Sequence, residues 1–372
     1  MRVLITYQYF LPAYKAGGPV QSIKNTANFL SSIQDVETYI LCSDADMDGT
    51  KSDVQLDCWT DFQTNVKVYY NSVSGSKTEI LNIIEGIKPD VIFINGLYSM
   101  LYTIYPLMYK GNARKILSVR GMLHPGALSQ KSAKKKIFLT AFKMFGLHKN
   151  CEYHATTDEE TGYIKDLFGG DKKIWMVPNL PNVQDYQKPL KKEYGSLSLV
   201  SISLVSPMKN ILLVLKALKN CRSAISYMIF GPIKDSAYWD ECLAIMKQMP
   251  HNILVQYKGE IEPLKIHEAL KEAHYFVLPS KSENFGHAIY EALSAGKPVI
   301  TSHTTPWNGL EQAGAGYNVN PEDLAPFTAL IDKIAGIQDK EYEQATLNAR
   351  KYITEQYDLE KINSQYKKMF SV

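Results

Sequence analysis

Tyr275-Phe276-Val277-Leu278-Pro279-Ser280-Lys281-Ser282-Glu283-Asn284-Phe285-Gly286-His287-Ala288-Ile289-Tyr290-Glu291-Ala292-Leu293-Ser294-Ala295-Gly296-Lys297-Pro298-Val299-Ile300-Thr301 is the stretch from which the fold can be read. An apolar strand, Tyr275–Leu278, enters a turn bearing proline and glycine. A helix follows from about Gly286 to Ala295, and then a second strand, Pro298–Thr301. Strand, helix and strand in succession make a right-handed crossover unit whose two strands run parallel. The same alternation extends upstream. Leu197–Ser201 reads as a strand, Asn210–Leu218 as a helix, Ser226–Phe230 as a strand ending at Gly231-Pro232, and Tyr238–Met249 as a helix. The strand Ile253–Tyr257 and the helix Leu264–Glu272 complete the series.

Further upstream the pattern breaks at Pro178-Asn179-Leu180-Pro181-Asn182, and the polar Gln184–Gly195 reads as a linker. Ahead of that break lie strand-like Val3–Thr6, Thr38–Cys42, Val66–Tyr70, Val91–Ile94, Ile116–Val119 and Tyr153–Thr156, with helical periodicity over Val20–Leu30 and Thr78–Ile87. The fold class expected is therefore α/β: two Rossmann-like domains with parallel sheets, facing across a cleft. The first spans 1–182, the second 183–355, and a C-terminal helix, 356–372, is expected to cross back to the first. In such sheets ligands sit outside the carboxyl ends of the strands, where the strand order reverses.

The 372 residues suit two domains at about 150 residues each. Hydrophobic residues at 45% and charged residues at 21% exclude a disordered chain. A net charge of +3 nominates no polyanionic partner for the chain as a whole. Five scattered cysteines, with no CxxC and no Cys/His cluster, predict reduced thiols in a cytoplasmic protein. Met1-Arg2 runs directly into apolar Val3-Leu4-Ile5, so no secretory leader is expected. The most apolar stretch outside the strands, Tyr98 to Tyr109, is 12 residues and too short for a bilayer span.

Three turns at strand ends carry candidate chemistry. Gly17-Gly18-Pro19 precedes a helix and allows close backbone approach to an anion, although GxGxxG is absent. The segment Glu283-Asn284-Phe285-Gly286 places a helix N-terminus where its N–H groups and positive dipole suit a diphosphate. Glu283 and Glu291, eight residues apart, supply carboxylates suited to vicinal sugar hydroxyls. Ser206-Pro207-Met208-Lys209-Asn210 brings a lysine that suits a phosphate.

On these residues the chain resembles the family 4 (group 1) retaining glycosyltransferases of the GT-B fold. The resemblance is carried by Glu283-Asn284-Phe285-Gly286 with Glu291, and by Gly296-Lys297-Pro298-Val299-Ile300. The Gly17-Gly18 loop, Val119-Arg120-Gly121-Met122-Leu123, Pro178-Asn179 and Ser206–Asn210 support it, in the family's order. It implies a nucleotide-sugar donor held mainly by the second domain. Glu291 would lie on ribose hydroxyls and Glu283 on the transferred sugar. Asn284, Phe285 and Gly286 would offer backbone N–H groups, and Ser206 would belong to the donor site. Lys209 would meet the leaving diphosphate, with Gly17 and Gly18 approaching from the first domain. No cofactor and no metal is expected, and the acceptor would be a glycan or lipid-linked glycan of a surface polysaccharide. The family's arginine five residues before the lysine is replaced by Leu204. Where its first domain often has histidine this chain has Arg120, with His124 close behind; both are candidates for chemistry there. Alternatives are a GT-B nucleotide-sugar epimerase or phosphorylase, or a non-catalytic sugar-nucleotide-binding subunit.

Two further features bear on partners. Asp44-Ala45-Asp46-Met47-Asp48-Gly49 imitates a DxD or calcium-loop start, but Gln55 stands where position 12 requires Glu, so a solvated loop is expected. Residues 110–150 hold ten basic side chains (Lys110, Arg114, Lys115, Arg120, Lys131, Lys134, Lys135, Lys136, Lys143 and Lys149) and no acidic one. Interleaved Ile137, Phe138, Leu139, Phe142, Met144, Phe145 and Leu147 predict an amphipathic basic face for an anionic membrane surface. The location expected is cytoplasmic and peripheral at the inner face of the membrane. Nucleic acid is not expected, since no binding motif accompanies the charge.

Overall fold

The computed structural model describes residues 1–72, 75–129 and 132–372; Lys131 of the basic stretch lies outside them. The chain forms two units, one of Met1–Leu180 with Leu359–Val372 and the other of Pro181–Asp358.

The first unit is built on a sheet of β1 (Arg2–Thr6), β2 (Glu37–Ser43), β3 (Trp59–Gln63), β4 (Val66–Asn71), β5 (Val91–Asn95), β6 (Arg114–Ser118), β7 (Glu152–Ala155) and β8 (Ile174–Met176). Their order is β3-β4-β2-β1-β5-β6-β7-β8, parallel except for the antiparallel pair β3–β4. Parallel strands covered on both faces read as continuous apolar runs, and β5, Val-Ile-Phe-Ile-Asn, is buried at every position. The C-terminal helix Leu359–Phe370 belongs to this unit. Its Tyr366, Met369 and Phe370 are fully buried, with the Phe370 ring edge-on to Phe93 at 5.4 Å. Arg114 fastens its end by donating to the Met369 carbonyl.

The second unit contains β9 (Ser196–Ile202), β10 (Ala224–Phe230), β11 (Ile253–Tyr257), β12 (Tyr275–Leu278), β13 (Val299–Ser302) and β14 (Gly316–Val319). All pairs are parallel, in the order β11-β10-β9-β12-β13-β14. The chain winds outward from β9 one way and from β12 the other, so the order reverses between those two strands. That reversal is the topological switch point, where loops diverge and leave a crevice. In the first unit the corresponding reversal lies between β1 and β5.

Two features depart from the sequence reading. The polar residues after β2 include a short strand, β3, whose Trp59 packs edge-on against Tyr39 and Tyr69. Gln184–Gly195 is not a solvated spacer. It is a strap laid on the second unit, with Gln187 and Lys192 buried and the Lys192 ammonium donating to the Ala335 carbonyl at 2.8 Å. The apolar stretch 98–109 folds as successive helical turns, Met100–Ile104 and Tyr105–Met108, against β5. Among the described residues no helix is long and apolar enough to cross a membrane.

Candidate functional site

At the switch point of the second unit two loops are bonded main chain to main chain. The loop after β9 carries Ser206 to Asn210, and the loop after β12 carries Pro279 to Gly286. The Lys281 N–H donates to the Met208 carbonyl at 2.8 Å. Asn210, in the left-handed region at φ 60°, donates its amide to the carbonyls of Pro279 (3.2 Å) and Pro321 (2.8 Å). Asparagine adopts this conformation more readily than most residues. Here it also joins the start of one helix to the end of β12.

This clamp delivers the charges. The Lys209 ammonium meets Glu283 Oε1 at 2.5 Å, and the Ser280 hydroxyl donates to the same oxygen at 2.7 Å. The lysine side chain is 21% exposed and the glutamate 9%, so the pair is largely withdrawn from water but open on one flank. Ser280 is itself immobilised, since its carbonyl accepts from Ser302 and from Thr304.

Gly286 then starts the helix His287–Ser294 from φ 79°. A Cβ there would sit 3.1 Å from Ile289 and 3.3 Å from the Trp307 indole nitrogen, so both conformation and space favour glycine. Phe285 is buried, packed by Trp307, Tyr290 and Tyr357, and the Trp307 indole donates to the Phe285 carbonyl at 2.5 Å. Its side chain is an anchor, so any ligand contact from it must come from the backbone. Asn284 is exposed. Glu291, only 3% exposed, accepts from the Asn182 amide at 3.4 Å. Ser206 is buried, and its carbonyl receives the Lys209 N–H at 3.0 Å.

In the first unit Gly17, at φ 72° and ψ −131°, caps the helix Gly18–Ser31. Its loop is strapped down by the acidic loop 44–48. Asp46 accepts the Lys15 N–H at 3.1 Å, and Asp48 accepts the Lys15 ammonium at 2.9 Å. That bond, with the Thr50 N–H, draws the Asp48 pKa down to about 2. Asp44 pairs with Lys51. Each acid of the DxD look-alike therefore has a structural partner.

Arg120, at φ 51° and 9% exposed, directs Nε and Nη2 to Asn95 Oδ1 (3.0 and 2.8 Å) and Nη1 to Asn179 Oδ1 (2.5 Å). Burial lowers its pKa. Asn179 Oδ1 also accepts from Ser22 at 3.1 Å. Three short segments, the helix after Gly17-Gly18, Val119–Leu123 and Pro178-Asn179, thus meet on one buried amide. His124 is exposed, and its Nδ1 accepts from the Gly126 N–H at 3.1 Å, which places the proton of the neutral ring on Nε2.

The structure thus joins Lys209 and Glu283 directly. It puts Ser206, Asn284, Phe285 and Gly286 on the same pair of loops, and Glu291 in the helix that follows. Arg120, His124, Gly17 and Gly18 belong to the first unit. Reading the sequence quoted Ser280, Asn210 and Asn182 within these segments but gave none of them a role. The polar residue at a strand end, Ser280, and the asparagine before a helix, Asn210, were the available signals.

Comparisons with known proteins bear on this arrangement. The family described as "Glycosyl transferases group 1" matches residues 182–352. A GDP-mannose:cellobiosyl-diphosphopolyprenol alpha-mannosyltransferase of Komagataeibacter xylinus is 35% identical over 101 residues, which are 27% of this chain and 25% of that protein. The match therefore spans about a quarter of that relative's length. Among solved structures, sucrose-phosphate synthase from Thermosynechococcus elongatus superposes with a TM-score of 0.74 at 14% identity, covering 100% of this chain and 98% of the other. Anabaena Alr3699/HepE in complex with UDP-glucose gives 0.71 at 14% identity, covering 100% and 99%.

Proposed function

We propose that the chain, whose residues 182–352 match the group 1 glycosyl transferases and whose fold is GT-B, moves a sugar from a nucleoside diphosphate sugar onto a glycan or lipid-linked acceptor in surface polysaccharide synthesis. The observation that carries this reading is the Lys209–Glu283–Ser280 cluster at the switch point between β9 and β12.

In the proposed reaction the bond between the anomeric carbon and the diphosphate oxygen breaks. The acceptor oxygen bonds to that carbon on the same face, and its proton passes to the departing phosphate oxygen. Charge builds on the leaving group, so positive groups held in place before the reaction accelerate it. An ammonium has three N–H donors; Glu283 takes one of Lys209's, and the others suit phosphate oxygens. The N–H groups opening the helix His287–Ser294 add dipole at the same end. Glu283 is a hydrogen-bond acceptor for the transferred sugar, held in register by Ser280, and Glu291 an acceptor for ribose hydroxyls. The chemistry as proposed retains anomeric configuration and calls on no metal ion. The HepE complex with UDP-glucose and the GDP-mannose in the mannosyltransferase's name support the donor class.

The basic stretch refines the proposed acceptor side. Helix Ser132–Met144 turns Leu139 and Phe142 into the core, with Phe138 half-buried against Tyr98 and Phe142. Ile137, Met144 and Phe145 remain 71, 73 and 72% exposed. Offsets of seven and eight residues put these three on one face, among exposed Lys134, Lys136, Lys143 and Lys149. The apolar face is thus narrower than the sequence alone suggested, because the fold claims the other stripe. Exposed apolar groups ringed by lysines suit an anionic lipid surface that presents the acceptor.

The test is turnover of a panel of UDP- and GDP-sugars, with product analysis, by the unaltered chain and by Glu283→Gln. Release of nucleoside diphosphate, lost in the variant at unchanged melting temperature, is expected. Equal turnover by the variant would remove Glu283 from the reaction. A new free nucleotide-sugar isomer would make the chain an epimerase.

A further inference from the structure

A diphosphate carries at least two negative charges, and the switch point as described offers little net charge to match them. Lys209 is already paired with Glu283. Leu204 is a neutral, half-buried side chain in the loop after β9. The fold nevertheless brings another cation beside this loop, through its backbone.

The loop after β10 lies directly against the loop after β9. Val205 and Ile233 form a parallel bridge: the Val205 N–H donates to the Pro232 carbonyl at 2.9 Å, and the Lys234 N–H to the Val205 carbonyl at 3.1 Å. Gly231 permits this approach. A Cβ at that position would stand 1.9 Å from the Ser203 carbonyl oxygen. Along extended backbone, neighbours of a bridged pair project to the face opposite the pair. Val205 is fully buried. Leu204 and Ser206 on one loop, and Lys234 on the other, flank that bridged pair and lie side by side along the backbone. Lys234 is exposed and has no ion-pair partner among the described residues. The nearest acid in sequence, Asp235, is engaged in capping the helix Ser236–Met246 through the Tyr238 N–H at 3.0 Å.

We infer that Lys234 supplies the second positive charge to the donor's diphosphate, doing from the loop after β10 what the neutral side chain of Leu204 cannot do from the loop after β9. The inference rests on the donor-site reading above. It makes Lys234 a binding residue that compensates the Lys209–Glu283 neutralisation, while its stem adds nothing to the core.

Calorimetric titration of the full chain with UDP, GDP, UMP and GMP at low salt tests this. Lys234→Ala is expected to weaken diphosphate binding about tenfold, the order of one charge-assisted contact, with a smaller loss for the monophosphates. Lys234→Arg should retain affinity, and the loss in Lys234→Ala should shrink as salt is raised. Unchanged diphosphate affinity in Lys234→Ala, an equal loss for mono- and diphosphates, or a tenfold loss in Lys281→Ala in its place would overturn the assignment. If neither UDP nor GDP binds the unaltered chain, or Glu291→Gln leaves the bound one's affinity unchanged, the donor-site reading itself fails and Lys234 falls with it. Melting temperature separates these results from misfolding, since an exposed lysine should leave it within a degree or so.

Discussion

Replacing Lys209 with methionine separates what the charged pair does for stability from what it does for turnover. Two unit charges 2.5 Å apart attract by roughly 7 kcal/mol at an effective dielectric constant of about 20, before desolvation. Most of that is offset by withdrawing both groups from water, and the open flank of the lysine lets water screen the rest. The cost of Lys209→Met is set instead by what remains: a carboxylate, 9% exposed, with the Ser280 hydroxyl as its one remaining partner among the described residues. That leaves a penalty of about 1–3 kcal/mol, below the fully buried case because the site is partly open. For a unit the size of Pro181–Asp358 the expected fall in melting temperature is roughly 2–12 °C. The double variant Lys209→Met with Glu283→Gln should recover most of it, since a neutral amide tolerates the site. Sugar transfer should not recover. Thermal unfolding followed beside nucleotide release reads both quantities in the same samples. Single and double variants that melt with the unaltered chain and keep its turnover would refute the reasoning.

Other substitutions probe the frame and the surface. Gly231→Ala forces a side chain onto the Ser203 carbonyl at φ 130°, and a loss of about 3 kcal/mol or more is expected from the second unit; wild-type urea resistance would show that the loops separate freely. Lys297 is 1% exposed, and burial lowers its pKa to about 8 from 10.5. Between those values the unfolded chain holds a proton that the folded chain does not, so stability rises with pH there and the full penalty applies below about pH 8. Lys297→Met, which also forfeits the bond to the Ala273 carbonyl, should gain about 2 kcal/mol at pH 7, an advantage that shrinks toward pH 10; a pH-independent difference would contradict the assignment. Ile137→Asp with Phe145→Asp should abolish sedimentation with vesicles rich in anionic lipid while leaving nucleotide release intact, and undiminished sedimentation would move the membrane contact elsewhere.

Much of this protein is local in origin. The alternation of apolar runs with helical periodicity, the glycine before His287, and the proline break near Pro178 depend on neighbours along the chain. Backbone preference and side-chain period act at that range, so the α/β class and the strand-end turns were legible in the sequence. The strands β3, β8 and β14 were not: β3 (Trp59-Thr60-Asp61-Phe62-Gln63) and β14 (Gly316-Tyr317-Asn318-Val319) mix polar with apolar residues, and β8 has only three residues.

What only the tertiary structure decided is who meets whom. Lys209 and Glu283 are 74 residues apart, and they touch because β9 and β12 are sheet neighbours across the point where winding reverses. No local pattern encodes that adjacency; it comes from burying both faces of one sheet. The same holds for Arg120, a candidate from its sequence that the fold commits to Asn95 and Asn179. It holds too for helix Ser132–Met144, one stripe of which the core takes and the other of which it leaves to solvent. Sequence lists the groups able to do chemistry, and packing selects among them, because desolvation and hydrogen-bond partners belong to an environment rather than to a residue.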